Sequence, residues 1–241
     1  MLKTVSLGNK MVGDGYPCYF IAEIGNSFNN FQQAKLLIDS AKQIGVDAVK
    51  FQTFEAKTIT TKSNYFDMEV TGKSSQYEFL KNLEISKDLQ KEVVAYAKKS
   101  NITIFSAPSH IKDLDILEDL DIPIYKIGSD LACHTPLLKK VAKLQKPIIL
   151  STGMCTMNEV EESVKTILDA GNDKLILLHC VSDYPANLEE SNLNAIIEMK
   201  KQFKIPVGYS DHVKGTIASL TAAALGANVI ERHFHDSKNG L

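Results

Sequence analysis

The sequence predicts an α/β fold, a (β/α)8 TIM barrel, on three observations. The chain has 241 residues, close to the usual length of about 250 for such barrels. Eight short, β-rich apolar runs recur at roughly even spacing. Most are separated by segments with helical period, the alternation of a parallel sheet covered by helices. An open doubly wound sheet is the alternative, but no GxGxxG follows the first run, which weakens a dinucleotide reading.

The runs are YFIAEIG (19–25), AVKFQTF (48–54), TIFSAP (103–108), IYKIGS (124–129), PIILSTG (147–153), KLILLHC (174–180), PVGYSD (206–211) and NVIERHF (228–234). Between them, Gln33 to Ile44 places Ala34, Leu37, Ile38 and Ala41 on one helical face and ends at Gly45. Ser86 is an N-cap for a helix to Lys99 carrying Leu89, Val93, Val94 and Ala97. Asn158 to Ala170 repeats the scheme before Gly171, and Ile217 to Leu225 reads as a short apolar helix. The long polar segment over 57–82 is expected to be a lid or binding loop. The whole chain, 1–241, is expected to be a single barrel domain. It stops seven residues after the eighth run. Either the barrel is open there or the chain is a piece of a longer one.

Composition narrows the function classes. The net charge of −2 leaves no electrostatic footprint for nucleic acid, and no basic run suits a membrane surface. No window reaches 18 apolar residues and the N-terminus has no signal-peptide core, so a cytoplasmic protein is expected. Cys18, Cys133, Cys155 and Cys180 form no CxxC pair or zinc knuckle and read as free thiols.

In such barrels the site lies at the C-terminal ends of the strands. Here all eight ends are polar: Glu23; Lys50 and Gln52; Ser106; Lys126 and Ser129; Ser151 and Thr152; His179 and Ser182; Ser210 and His212; Glu231 and His233. Alternation puts Lys50 with Gln52, and Glu231 with His233 and His235. Lys50 and Lys126 lie inside apolar strands, where a lone ammonium would lose its proton or need a counter-ion. Each either pairs with a carboxylate in the barrel or, together, they hold a small multiply charged anion. Ser129, Ser151, Ser182 and Ser210 add neutral donors. His212 and His233, on neighbouring strands about 4.8 Å apart, are candidates for sharing a divalent ion, with open positions as in a catalytic site. Two core histidines are the alternative. Asp211 is expected behind the metal ligands, His235 is a more distant third ligand, and His110, His134 and His179 read as structural. A Cys180 nucleophile with a His179 base is disfavoured, because adjacent strand residues face opposite ways. A Schiff-base lysine at Lys50 or Lys126 would leave the histidine pair without a role.

With these residues, the sequence resembles the sialic acid synthase family, which includes legionaminate, pseudaminate and spore-coat polysaccharide synthases. The resemblance runs from about residue 18 to the end. It is carried by IAEIG (21–25), AVKFQTF (48–54), SQYEFLKNLEIS (75–86), YKIGSD (125–130), KPIILSTGM (146–154), LLHCVSDYPA (177–186), VGYSDH (207–212) and VIERHF (229–234). It implies a barrel transferase that condenses phosphoenolpyruvate with an N-acetylmannosamine-like aldose, giving a nine-carbon α-keto sugar acid and phosphate. By this resemblance, Lys50, Gln52, Lys126, Ser129, Ser151, Ser182 and Ser210 hold phosphoenolpyruvate, and His212 and His233 hold Mn2+ or Mg2+. Glu23 sits at the reacting carbons and, with Lys50 and Lys126, is catalytic. The resemblance also implies a homodimer in which a C-terminal antifreeze-like domain reaches into the partner's barrel; this chain is expected to be without that domain. Ser182 stands where the best-known members have Asn. Ser27 and Phe28 replace Asn-His, Ala107 replaces Thr, and Leu131 replaces an acidic residue at the sugar, with Asp130 beside it expected to turn aside. These departures bear on the acceptor. A synthase for another aldose and a barrel that binds phosphoenolpyruvate without catalysis are the competing readings.

Overall fold

The computed structural model describes residues 3–68 and 72–235. Eight parallel strands close into a barrel in the order β3 (Tyr19–Glu23), β4 (Ala48–Thr53), β7 (Thr103–Pro108), β8 (Tyr125–Ile127), β9 (Ile148–Ser151), β10 (Leu175–Cys180), β11 (Val207–Asp211) and β12 (Val229–His233), with β12 returning to β3. All eight runs read from the sequence are these strands. Their outward side chains meet the buried stripes of the surrounding helices, and their inward side chains fill the barrel.

Four helices follow the sequence closely. α1 (Phe31–Gln43) is capped by Asn30, whose side chain accepts from the Gln33 N–H, and it buries Ala34, Leu37, Ile38 and Ala41. α4 (Lys87–Lys99) takes Ser86 as its N-cap. α7 (Met157–Asp169) begins with a full capping box between Thr156 and Glu159. α9 is Ile217–Ala224. Three further helices, α5 (Asp113–Asp119), α6 (Thr135–Lys143) and α8 (Asn194–Phe203), complete the alternation. Residues 236–241, where the question of an eighth covering helix lies, are outside the described residues.

Two additions decorate the barrel. The hairpin β1 (Val5–Leu7) and β2 (Lys10–Val12) buries Val5, Leu7 and Val12, and its turn at Gly8 packs on Thr103 at the start of β7. It therefore sits at the N-terminal end of the barrel, away from the site. The long segment after β4 forms α2 (Ala56–Ile59), the hairpin β5 (Tyr65–Met68) and β6 (Gly72–Ser75), and α3 (Gln76–Asn82). It closes on itself through the edge-to-face pair Phe66 and Phe79, with ring centroids 5.4 Å apart. Among the described residues, none from 57–82 lines the main cavity.

Candidate active site

Register explains how residues far apart in sequence meet. His233 pairs with Glu23 across β12 and β3, and Glu23 pairs with Lys50 across β3 and β4. One layer deeper, Cys180, Ser210 and Glu231 lie side by side on β10, β11 and β12. Alternation turns inward residues of neighbouring strands into the same cavity. The cavity has a volume of about 490 Å3, within the usual range of about 300–1,000 Å3 for small-molecule sites. The residues expected to hold phosphoenolpyruvate, the histidine pair and Glu23 all line it: Glu23, Lys50, Gln52, Lys126, Ser129, Ser151, Ser182, Ser210, His212 and His233.

Four charged groups form its floor. The Lys50 ammonium touches the Glu23 carboxylate and lies 3.4 Å from Glu231; Lys126 lies 3.7 Å from the same Glu231 oxygen. All four are at most 5 % exposed. The lysines thus do have carboxylate partners in the barrel. Burial pulls Lys50 down to about 8, opposed by Glu231 and reinforced by Lys126. Burial alone would raise Glu231, but the Lys126 and Lys50 ammoniums outweigh it and keep the carboxyl below its ordinary range. Taken as charged, two lysines and two glutamates sum to zero, so an anion entering the cavity competes with both carboxylates for the ammoniums.

Glu231 is the residue that sequence reasoning left without a role. Its signal was present, since it shares the inward face of β12 with His233. Tyr184 is a second such residue. Its ring lies against His212, with centroids 4.1 Å apart and planes tilted by 34°, and it comes from a loop where no periodicity points inward. Ser210 Oγ donates to Glu231 at 3.1 Å. Ser151 Oγ, 3 % exposed on the cavity wall, has no hydrogen-bond partner. An unpaired buried hydroxyl of this kind is a donor in want of a ligand.

Loop geometry sets the rim. At Gly25 a positive φ of 52° lets the backbone N–H turn back onto the Glu23 carboxylate. Gly153 approaches β10 so closely that an added Cβ would lie 2.6 Å from the Cys180 carbonyl and 2.9 Å from Ser182 Oγ. Its N–H donates to Ser129 Oγ at 2.9 Å, tying the rim after β8 to the rim after β9. β8 ends at Ile127, and Ser129–Leu131 is a single 3-10 turn. Strand alternation no longer applies there, so Asp130 lines the cavity together with Leu131 rather than turning aside.

The two histidines are adjacent, with ring centroids 5.8 Å apart. His212 Nδ1 is 2.6 Å from the Val181 carbonyl. Only a protonated Nδ1 makes that bond, which leaves Nε2, 3.4 Å from Ser210 Oγ, as the acceptor nitrogen. Burial keeps both rings neutral: His212 is lowered, and His233 is pushed down to about 4 by burial and then by Lys50. Two neutral imidazoles, with the His212 tautomer fixed, have the chemistry to ligate a divalent transition-metal cation. Among the described residues no set of three His, Cys, Asp or Glu side chains that could hold a metal ion is found. His235 lies past the end of β12 and does not line the cavity.

Several strand-end polar residues face away. Asp211 does not support His212; it bonds the Val213 N–H and the Ser219 hydroxyl and lies 3.5 Å from Arg232. Ser106 bonds Thr53 at 2.7 Å, Thr152 bonds the Leu178 carbonyl, and His179 Nε2 bonds the Ser191 carbonyl at 2.7 Å. His179 and Cys180 face opposite sides, as expected. His134 Nδ1 accepts from the Leu137 N–H at the start of α6, and His110 Nδ1 accepts from the Lys112 N–H; both are structural contacts.

Comparison with known proteins places this architecture. Residues 37–240 match the NeuB family model. The chain is 43 % identical over 226 residues to N,N'-diacetyllegionaminic acid synthase of Campylobacter jejuni, covering 91 % of this chain and 68 % of that protein. It is 37 % identical over 241 residues to the Legionella pneumophila synthase of the same name, covering 96 % and 68 %. The solved N-acetylneuraminic acid synthetase of Leptospira borgpetersenii superposes with a TM-score of 0.88 at 32 % identity, over 98 % of this chain and 80 % of that one. A truncated 3-deoxy-D-arabino-heptulosonate 7-phosphate synthase of Thermotoga maritima, 19 % identical with a TM-score of 0.75, shares the fold. No helix among the described residues is long and apolar enough to cross a membrane.

Proposed function

The chain belongs to the NeuB family, and from that premise we propose that it joins phosphoenolpyruvate to an N-acetylmannosamine-like aldose, giving a sialic-type α-keto sugar acid and inorganic phosphate. The observation that carries this reading is the pair of buried lysines, Lys50 and Lys126, facing the unpartnered hydroxyl of Ser151 in one cavity. Two ammoniums and a free donor suit a small molecule bearing both phosphate and carboxylate. Ser129, Ser182, Ser210 and Gln52 line the same cavity and complete its polar wall.

The reaction balances with one water. C3 of phosphoenolpyruvate attacks the aldehyde carbon of the sugar, whose C=O π electrons pass to the oxygen, which takes up a proton to become a hydroxyl. Water adds to the cationic C2, and phosphate leaves with cleavage of the C2–O bond. Lys50 and Lys126 hold the phosphate and carboxylate and stabilise charge as the phosphate departs. Glu23, fixed by the Gly25 N–H, orients the attacking water and takes its proton. His212 and His233 would hold Mn2+ or Mg2+, whose contribution is Lewis-acid polarisation of the aldehyde. Tyr184, whose ring lies 4.1 Å from that of His212, would bound the sugar beside the histidine pair.

A second reading, condensation with a different aldose, is favoured by the apolar side chains of Leu131 and Met154 on the sugar-facing rim. Phosphate release and formation of an α-keto acid, measured with phosphoenolpyruvate, Mn2+ and a panel of N-acetylhexosamines and plain aldoses, separates the two. Turnover only with N-acetylated sugars supports the first reading, and turnover only with plain aldoses supports the second. Phosphate release without any sugar contradicts both.

The lysine chemistry also sets a pH dependence. The cationic form of Lys50 is required, and burial lowers it to about 8. Phosphoenolpyruvate affinity is therefore full below that value and falls as pH rises through it, approaching about tenfold per pH unit for one linked proton. Calorimetric titration from pH 6.5 to 9.5 checks this; a flat profile would remove Lys50 from anion binding.

A further inference from the structure

Cys133 and Cys155 lie on two different rims of the barrel, 22 residues apart in sequence, with their sulfurs 3.8 Å apart. Cys133 follows the 3-10 turn that carries Asp130 and Leu131, and Cys155 follows Gly153 and Met154. We propose that this pair is a modification site: an oxidisable dithiol that closes reversibly to a disulfide and so pins together the two rims after β8 and β9.

The geometry supports it from several sides. A disulfide needs its sulfurs about 2.05 Å apart, so the thiols close by about 1.8 Å, within reach of side-chain rotation. The rims are already registered by the Gly153 N–H bond to Ser129 Oγ, so closure does not require their approach from a distance. Behind them α6 and α7 pack against one another. The other two cysteines have no such partner. Cys180 is buried with its sulfur 3.1 Å from Ser129 Oγ, and Cys18 precedes β3 at the opposite end of the barrel.

The members of the pair differ in a way that orders the chemistry. Cys133 is exposed and Cys155 half-buried. Burial, and then the bond to Cys133, push the Cys155 thiol up to about 12, so it persists as a thiol until its partner is oxidised. With a peroxide as oxidant, the Cys133 thiolate attacks one peroxide oxygen, giving a sulfenic acid and releasing hydroxide. Cys155 then gives up its proton, its sulfur attacks the sulfenic sulfur, and water leaves. In total two thiols and one hydrogen peroxide give one disulfide and two waters. The bond fixes Leu131 and Met154 on the cavity wall relative to one another. The proposal itself does not depend on which reaction the cavity performs.

The test is titration of the full chain with hydrogen peroxide, followed by alkylation, non-reducing trypsin digestion and mass spectrometry. Lys139 and Lys143 lie between the two cysteines, so trypsin separates them unless they are linked. The expected product is a cross-linked Cys133–Cys155 peptide pair lighter by two hydrogens, restored by dithiothreitol, with Cys18 and Cys180 still alkylated. In Cys155→Ser, Cys133 is expected to stop at the sulfenic acid and be labelled by dimedone; in Cys133→Ser no cross-link forms. Oxidation of Cys133 to sulfinic acid in the unmutated chain while Cys155 remains alkylatable would overturn the proposal. So would a Cys133–Cys133 bond between two chains.

Discussion

Lys126→Ala is expected to weaken phosphoenolpyruvate binding by about two orders of magnitude. The expectation follows from burial and from pairing. Lys126 is 3 % exposed and lies 3.7 Å from Glu231. Truncating one member of a buried charge pair costs about 2–5 kcal/mol, and about 2.7 kcal/mol is a hundredfold in affinity. Part of the loss is the missing contact to the anion. The rest arises because Glu231, left with Lys50 alone, places uncompensated negative charge where the anion must enter. The double variant Lys126→Ala with Glu231→Gln separates these terms: it is expected to recover part of the affinity while remaining weaker than the unmutated chain. Calorimetry on protein whose thermal unfolding remains cooperative provides the measurement. Full affinity in Lys126→Ala would remove the anion site from this end of the barrel.

His233→Ala is expected to lower turnover by about 10³-fold, in line with the several kcal/mol of charge stabilisation a Lewis acid supplies. The variant leaves His212 as the sole imidazole. Among the described residues no set of three His, Cys, Asp or Glu side chains that could hold a metal ion is found. Direct Mn2+ binding, read by electron paramagnetic resonance, is expected to be lost at concentrations that saturate the unmutated protein. Phosphoenolpyruvate binding without metal is expected to change by far less, because His233 belongs to the rim and the lysines to the floor. Unchanged Mn2+ affinity in both His233→Ala and His212→Ala would show that the pair is not a metal site.

Much of this architecture was legible in the sequence because strands of a closed barrel are short, apolar and punctuated, and because an inward face repeats every second residue. That repeat placed Lys50 with Gln52 and Glu231 with His233. It failed where the strand ended early. β8 spans Tyr125–Ile127, so Asp130 and Leu131 obey a 3-10 turn instead of alternation. It also gave too much: Ser106, Thr152 and Asp211 sit at strand ends yet bond within the wall of the barrel, whereas His179, read as structural, bonds the Ser191 carbonyl. Glu231 was visible as a polar strand end, but its meaning depends on Lys50 and Lys126, which approach from β4 and β8 only after the barrel closes. Tyr184 could not be found from periodicity at all, since a loop has none. The hairpin β1–β2 was equally silent, its strands being three residues each.

The floor of the cavity makes the central claim measurable. With Lys50 and Lys126 balanced against Glu23 and Glu231, the anion gains most when positive charge is added at the histidine pair. Titration of phosphoenolpyruvate into the protein by calorimetry, with and without Mn2+, is therefore the most direct measurement. Saturable one-to-one binding that tightens when Mn2+ is present is expected. No heat of binding under either condition, from protein shown to be folded, would contradict it.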